Sequence, residues 1–127
     1  WFRLNKDKND RADYTILYNG QPAGLIGLLN IDRKNRKAEY YICLGGAKYK
    51  GKGIASSATT LLLKESVGIY NINKIYLFTE IDNIAAQKFF ENYGFIKEGL
   101  LKDDLIYEGR KISRYMYSLY MDEIAIQ

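Results

Sequence analysis

Lys50-Gly51-Lys52-Gly53-Ile54-Ala55-Ser56 joins two runs of different period. Ahead of it, Ala38 to Leu44 is apolar and tyrosine-rich, as in a strand, and behind it Ile54 to Ile69 reads as a helix. The stretch is therefore a glycine-rich strand-to-helix turn. Its glycines let a ligand approach the backbone with no Cβ in the way, and the free amides and positive dipole end of the new helix point into the gap. Lys48, Lys50 and Lys52 add charge of the same sign. A phosphate or pyrophosphate is the first ligand to expect there.

Upstream of the turn, Tyr14, Ile16 and Tyr18 alternate with Thr15, Leu17 and Asn19, and Asn19-Gly20 opens a turn into Ala23 to Ile31, which predicts a β-hairpin. Pro22, the only proline, is placed at that turn. Arg33 to Arg36 makes a second, solvated turn, and Lys37 to Leu44 a third strand antiparallel to its neighbour. Trp1 to Arg11 reads as the end of a lost element followed by a loop. Downstream, Ile54, Ala58, Leu61, Leu62 and Ile69 stand at core-facing helical spacing. Asn73 to Glu80 is a strand reached through that helix and so parallel to the strand before it. Asn83 to Tyr93 is a second helix, with Ala86, Phe89, Phe90 and Tyr93 on one side and Gly94 as its stop. Phe95 to Tyr107 and Ile112 to Asp122 close the chain as a hairpin around Glu108-Gly109. The order β-β-β-α-β-α-β-β implies a mixed α/β (α+β) fold, a largely antiparallel sheet with helices on its faces.

Composition narrows the function. With 127 residues, 27% charged and 47% hydrophobic, the chain fits one domain with a real core. The longest apolar run, Ala23 to Leu29, is far short of the roughly 20 residues that span a bilayer, so no membrane role is expected. Cys43 is the only cysteine, which excludes an internal disulfide and suits a reducing compartment; the cytoplasm is the expected location. A net charge of +4 in two short clusters argues against nucleic acid as a partner. The chain has no histidine, which removes Ser-His and Cys-His nucleophile pairs, an imidazole base and histidine metal sites. Acid–base chemistry is left to carboxylates, tyrosines, lysines or water, and no metal is expected.

These features together resemble the GNAT family of N-acetyltransferases, which move an acyl group from acyl-CoA to an amine. The family shares the element order and a pyrophosphate turn of the form (Arg or Gln)-x-x-Gly-x-(Gly or Ala). Gly53 and Ala55 match it, with Lys50 in place of the first residue. Asn83 to Phe95, N-I-A-A-Q-K-F-F-E-N-Y-G-F, is similar to the family's Asn-x-x-Ala-x-x-x-Tyr-Glu-x-x-Gly-Phe helix. The resemblance covers nearly the whole chain. It lacks the family's first strand and acceptor-side helices, which fits a chain that begins at Trp1 and is truncated at its N-terminus.

The resemblance implies acetyl-CoA as co-substrate and direct attack by a primary amine in a ternary complex. It places the cofactor on Lys50, Gly51, Lys52, Gly53, Ile54, Ala55, Ser56, Asn83 and Phe90, and on the backbone of Tyr41, Ile42, Cys43 and Leu44. That backbone would also hold the charge developing on the thioester oxygen. It makes Glu39 the general base, working through water; the structural reading of Glu39 is a half-exposed carboxylate paired with a lysine. Asn83 doubles as a helix N-cap. Phe90 stands where relatives most often carry the tyrosine that protonates the leaving thiolate, which leaves Tyr93 or water for that task. Cys43 faces the side of Glu39 by alternation and reads as a packing residue, having no base to activate it.

Two rivals stay open. Gly51-x-Gly53 followed by Glu80 imitates a dinucleotide site of an oxidoreductase, although Ser56 replaces the third glycine. Phe90 keeps alive a non-catalytic CoA-binding sensor. The run from Leu28 to Ile42 and the closing hairpin are nearest to the branch with ribosomal-protein and nucleotide-amino-sugar N-acetyltransferases. An amino sugar or a protein N-terminus is thus the expected acceptor, the shared Asn30-Ile31-Asp32 turn favouring the amino sugar. Ser113 departs from an aspartate common in that branch. A monomer and a homodimer are both compatible with the sequence.

Overall fold

The computed structural model describes residues 2–3 and 10–123. Among these residues the strands are Phe2–Arg3 (β1), Ala12–Tyr18 (β2), Gln21–Asp32 (β3), Lys37–Leu44 (β4), Lys74–Glu80 (β5), Ile96–Tyr107 (β6) and Arg110–Tyr120 (β7). The helices are Ile54–Tyr70 (α1) and Ile84–Tyr93 (α2). One sheet takes the order β1-β2-β3-β4-β5-β7-β6. It is the mixed, largely antiparallel sheet expected, with β4 and β5 as its parallel pair.

The hairpin turn forms as read. Asn19 and Gly20 both have positive φ, the requirement of a two-residue turn that matches strand twist. Pro22 is not in that turn but in β3, opposite Leu17, where the register with β2 shifts and a missing N–H is tolerated. The expectation for Trp1 to Arg11 falls largely outside the described residues. Phe2–Arg3 pair with Thr15 and Tyr14, so a fourth strand precedes the glycine turn.

Alternation sends Tyr14, Ile26, Leu28, Tyr40, Ile75 and Tyr117 to one face of the sheet, where all are buried. Both helices cover that face. The Tyr40 hydroxyl shares a hydrogen bond with Thr59 of α1 at 2.8 Å, and its ring meets Phe90 of α2 edge-on at 5.7 Å. Thr60 of α1 and Tyr93 of α2 share a further hydrogen bond at 2.7 Å. Among the described residues both helices therefore lie on one face of the sheet. The crossovers β4–α1–β5 and β5–α2–β6 travel the same way across the sheet, and one handedness puts both helices on one side.

The core stripe of α1 also differs from the sequence reading. Leu61 and Ile69 are exposed, and Thr59 and Ser66 are buried beside Ile54, Ala58, Leu62 and Leu63. Their polarity hid them from a hydrophobic pattern. Each satisfies its hydroxyl within the helix, Thr59 donating to the Ala55 carbonyl and Ser66 to that of Leu63. The helix ends at Asn71, whose left-handed conformation returns its N–H to the carbonyls of Ser66 and Val67. Arg36, in the turn read as solvated, reaches across and donates to the Asn71 carbonyl at 2.9 Å.

Candidate active site

The strands β4 and β5 pair only at Lys37↔Lys74, Ala38↔Ile75 and Glu39↔Tyr76. Beyond that point each keeps its other partner. Leu44 stays opposite Gly24 of β3, and Glu80 stays opposite Arg114 of β7. The sheet therefore splits, and the edge of β4 from Tyr40 to Leu44 faces β5 without a strand partner. A cavity of about 1010 Å³ opens at the split. Tyr40, Ile42, Leu77, Thr79 and Phe90 line it on the helix side, and Glu39, Tyr41, Phe78, Glu80 and Arg114 on the other. The cavity thus runs through the sheet.

Its helix-side end is the glycine turn, which contributes Lys50, Gly51, Gly53, Ile54, Ala55 and Ser56. Gly51 and Gly53 have φ of 75° and 73°, and a Cβ on either would meet nothing within 4 Å. The glycines are there for backbone conformation, and the space above them is open. Gly53 caps α1 without a side-chain acceptor, and the first helical bond runs from the Ser57 N–H to the Gly53 carbonyl. The amides of Ile54, Ala55 and Ser56 are left without helical acceptors beside the cavity. Asn83 caps α2 by accepting from the Ala86 N–H at 3.1 Å, so its side-chain NH2 stays uncommitted among the described residues.

On the opposite face, Glu39 is half-buried and accepts from the Asn30 side-chain amide at 3.1 Å. The partner is an amide where a lysine was expected. A register shift between Leu29 and Asp32, with Asn30 at φ 52°, turns Asn30 onto the carboxylate. Arg114 is committed to Asp104 at 2.6 Å and lies over the Phe78 ring. Glu39 and Glu80 therefore dominate the charge of this mouth.

Three predicted residues do not line the cavity. Lys52 faces a smaller hollow with Tyr18 and Tyr49. The Tyr93 hydroxyl shares its hydrogen bond with Thr60, which directs it between the helices. Cys43, expected as a packing residue, is exposed, because its face of β4 carries no helix. Phe90 is buried among Tyr40, Phe89 and Phe95.

Thr79, Phe78 and Arg114 escaped the sequence reading. Alternation in β5 was a usable signal for Phe78 and Thr79, but Arg114 needed the knowledge that β7 inserts beside β5. Thr79 bears on ligand fit. Its Oγ1 is buried on the cavity wall with no hydrogen-bond partner among the described residues, an arrangement that costs about 1–3 kcal/mol unless a ligand or water completes it. An elongated ligand with an anionic end at the glycine turn and amide groups along its length fits these donors and acceptors.

Comparison with known proteins gives a consistent result. The model of the Acetyltransferase (GNAT) family matches residues 1–95. The provisionally named ribosomal N-acetyltransferase YdaF of Bacillus subtilis is 31% identical over 125 residues, covering 97% of this chain and 66% of its own length. The spermidine N(1)-acetyltransferase of Vibrio cholerae is 32% identical over 109 residues, 84% of this chain and 62% of the relative. A dodecameric structure of spermidine N-acetyltransferase from Vibrio cholerae superimposes with a TM-score of 0.81 at 27% identity, over 91% of this chain and 67% of that one. The chain thus spans a little under two thirds of the length of these curated relatives. Among the described residues no helix is long and apolar enough to cross a membrane.

Proposed function

The chain belongs to the GNAT acetyltransferase family, and from that premise we propose that residues 1–127 form one acyl-CoA-dependent N-acetyltransferase domain acting on a primary amine. The observation that carries this reading is the cavity through the split sheet, with helix amides at one end and two carboxylates at the other. Acetyl-CoA, when bound, supplies the activated acetyl group. The amides of Ile54, Ala55 and Ser56 and the charge of Lys50 hold its pyrophosphate, with Gly51 and Gly53 keeping the approach clear. The unpaired edge of β4, Tyr41 to Leu44, offers N–H and C=O groups to the arm and to the thioester oxygen. Asn83 and the orphaned Thr79 hydroxyl complete the polar lining.

The amine enters from the opposite face. Glu39, oriented by Asn30, takes its proton through water at a carboxylate oxygen. Neither Phe90 nor Tyr93 is placed to act as acid, and a thiolate whose ordinary pKa is about 8.5 leaves without one. Because Glu39 and Glu80 make this mouth negative while Arg114 is neutralised, the acceptor that fits best is an amine with further positive charge. The relatives named for spermidine agree with that choice. An amino sugar and a protein N-terminus remain the competing acceptors.

Incubation with acetyl-CoA and a panel of polyamines, amino sugars and N-terminal peptides, followed by mass spectrometry, is the test. Acetylation of the polycationic amines first is the expected result. Acetylation of an uncharged amino sugar alone overturns the acceptor assignment, and CoA binding without any transfer replaces the enzyme with a CoA sensor.

A further inference from the structure

Tyr41 is held in an unusual way. Asp13 of β2 stands opposite Gly27 of β3, and Gly27 stands opposite Tyr41 of β4, so the three share one row on the face away from the helices. The Tyr41 hydroxyl donates to Asp13 Oδ1 at 2.5 Å. To reach it, the ring must cross β3 above Gly27. A Cβ at Gly27 would clash with the Ala12 carbonyl oxygen and lie 2.7 Å from Tyr41 Cε1, so the β2 backbone already requires glycine there, and its bare surface leaves room for the ring to cross. Asp13 is itself fixed by Arg11, whose Nε donates to Oδ2 and Nη2 to Oδ1, both at 2.7 Å. That bidentate pair holds the carboxylate in position to accept. Burial, and then the bond to Asp13, raise the Tyr41 pKa, so the phenol stays a donor.

The direction of the ring matters because of what lies on the other side of β4. Since Glu39 pairs with Tyr76, Tyr41 and Phe78 are the next residues of this face on either side of the split. Tyr41 leans toward β2 and away from Phe78, which leaves the mouth between them open. We propose that Tyr41 sets the width of the amine entrance, held back over Gly27 by Asp13 and Arg11, and thereby selects acceptors by their bulk. In this role Tyr41 is a specificity residue and Asp13, Arg11 and Gly27 are positioning residues. Without the hydroxyl, the ring loses its anchor and the rotamer over the split narrows the mouth. Without the ring, the mouth is wider than in the natural chain.

The inference rests on the transferase reading, and two measurements separate their failures. The first compares Tyr41→Phe and Tyr41→Ala on primary amines graded in bulk around the amino group. For Tyr41→Phe the loss in kcat/KM is expected to be at least about tenfold larger for the bulkiest amine than for the smallest, and carried by KM. Tyr41→Ala should reverse that ratio and accept the bulky amine better than Tyr41→Phe does. A merely structural role predicts the opposite order, with Tyr41→Ala worse than Tyr41→Phe on every amine, and that result overturns the proposal. The second measurement is a crystal structure of Tyr41→Phe. A ring displaced toward Phe78 supports the proposal, and a ring still over Gly27 overturns it, whether or not any amine is acetylated. Absence of transfer by the natural chain counts against the transferase reading alone.

Discussion

Glu39 and Phe90 are the two positions at which the proposed chemistry can be tested by a single substitution. Glu39 is half-buried at the mouth, with Asn30 as its hydrogen-bond partner. If it removes the amine proton, Glu39→Gln lowers kcat/KM by roughly 10² to 10⁴ at neutral pH, and the loss shrinks as pH rises and free amine accumulates. A pH–rate profile for the two proteins checks this; parallel curves would assign Glu39 to structure. Phe90 is nearly sealed among aromatic rings, with Tyr40, Phe89 and Phe95 all within 6 Å by centroid. Restoring a hydroxyl by Phe90→Tyr should change the rate by no more than about tenfold, since a thiolate departs unaided. Stability should fall by about 1–3 kcal/mol if the new hydroxyl finds no partner, read as a shift in the urea midpoint.

At the scale of elements, the glycine turn and the caps each make one commitment. Gly53 sits at φ 73°, where a β-branched residue is strained, and the open space above it is where the phosphate would lie. Gly53→Val is expected to weaken CoA binding at least tenfold, by roughly 1.4 kcal/mol or more, while the fold survives. Titration calorimetry on the folded variant decides, with undiminished affinity the adverse outcome. The β3–β4 turn makes a different one. The Asp32 carboxylate accepts from the Asn35 backbone N–H and side-chain amide, both at 2.9 Å, and the first of these does most to lower its pKa. A carboxyl whose pKa is lower folded than unfolded stabilises the fold above its unfolded value, near 3.9, and that stability is lost as pH falls through the folded value. Asp32→Ala should therefore be less stable than the natural chain at pH 7. Their denaturation midpoints should converge in acid as the pH falls through the lowered folded pKa of Asp32; a gap that stays constant in acid would show that the turn's contribution is not ionic.

At the scale of the whole molecule, the cavity presents different charge on the two sides of the sheet. Lys50 and the α1 amides stand at the helix-side end of the cavity, and Glu39 and Glu80 at the other. Glu80→Gln should raise KM for a polycationic amine by about three- to tenfold, and less for a monoamine, with the difference fading at high salt. Steady-state kinetics at two ionic strengths reads this directly, and equal effects on both amines would remove Glu80 from acceptor recognition.

Most of the sheet was legible because local rules govern it. Asn19-Gly20 could only be a tight turn, Gly94 could only end a helix cheaply, and alternation in β2 set Tyr14 and Ile16 on one face, where both are buried. The glycine turn was legible for the same reason, since two left-handed positions next to a helix start demand glycine. The buried stripe of α1 was misread because Thr59 and Ser66 satisfy their hydroxyls inside the helix and so behave as core. Other features depend on residues far apart in sequence. The split between β4 and β5 arises because each strand stays with a different partner, the anchoring of Tyr41 spans 28 positions to Asp13, and Arg114 meets the cavity through the insertion of β7. The sequence by itself determined the elements from β2 onward, their order and the glycine-rich turn ahead of α1, since these follow from backbone conformation and periodicity over a few residues. Only the tertiary structure decided where the sheet opens, which side chains face each end of the opening and which are held away from it, because those follow from which strands become neighbours.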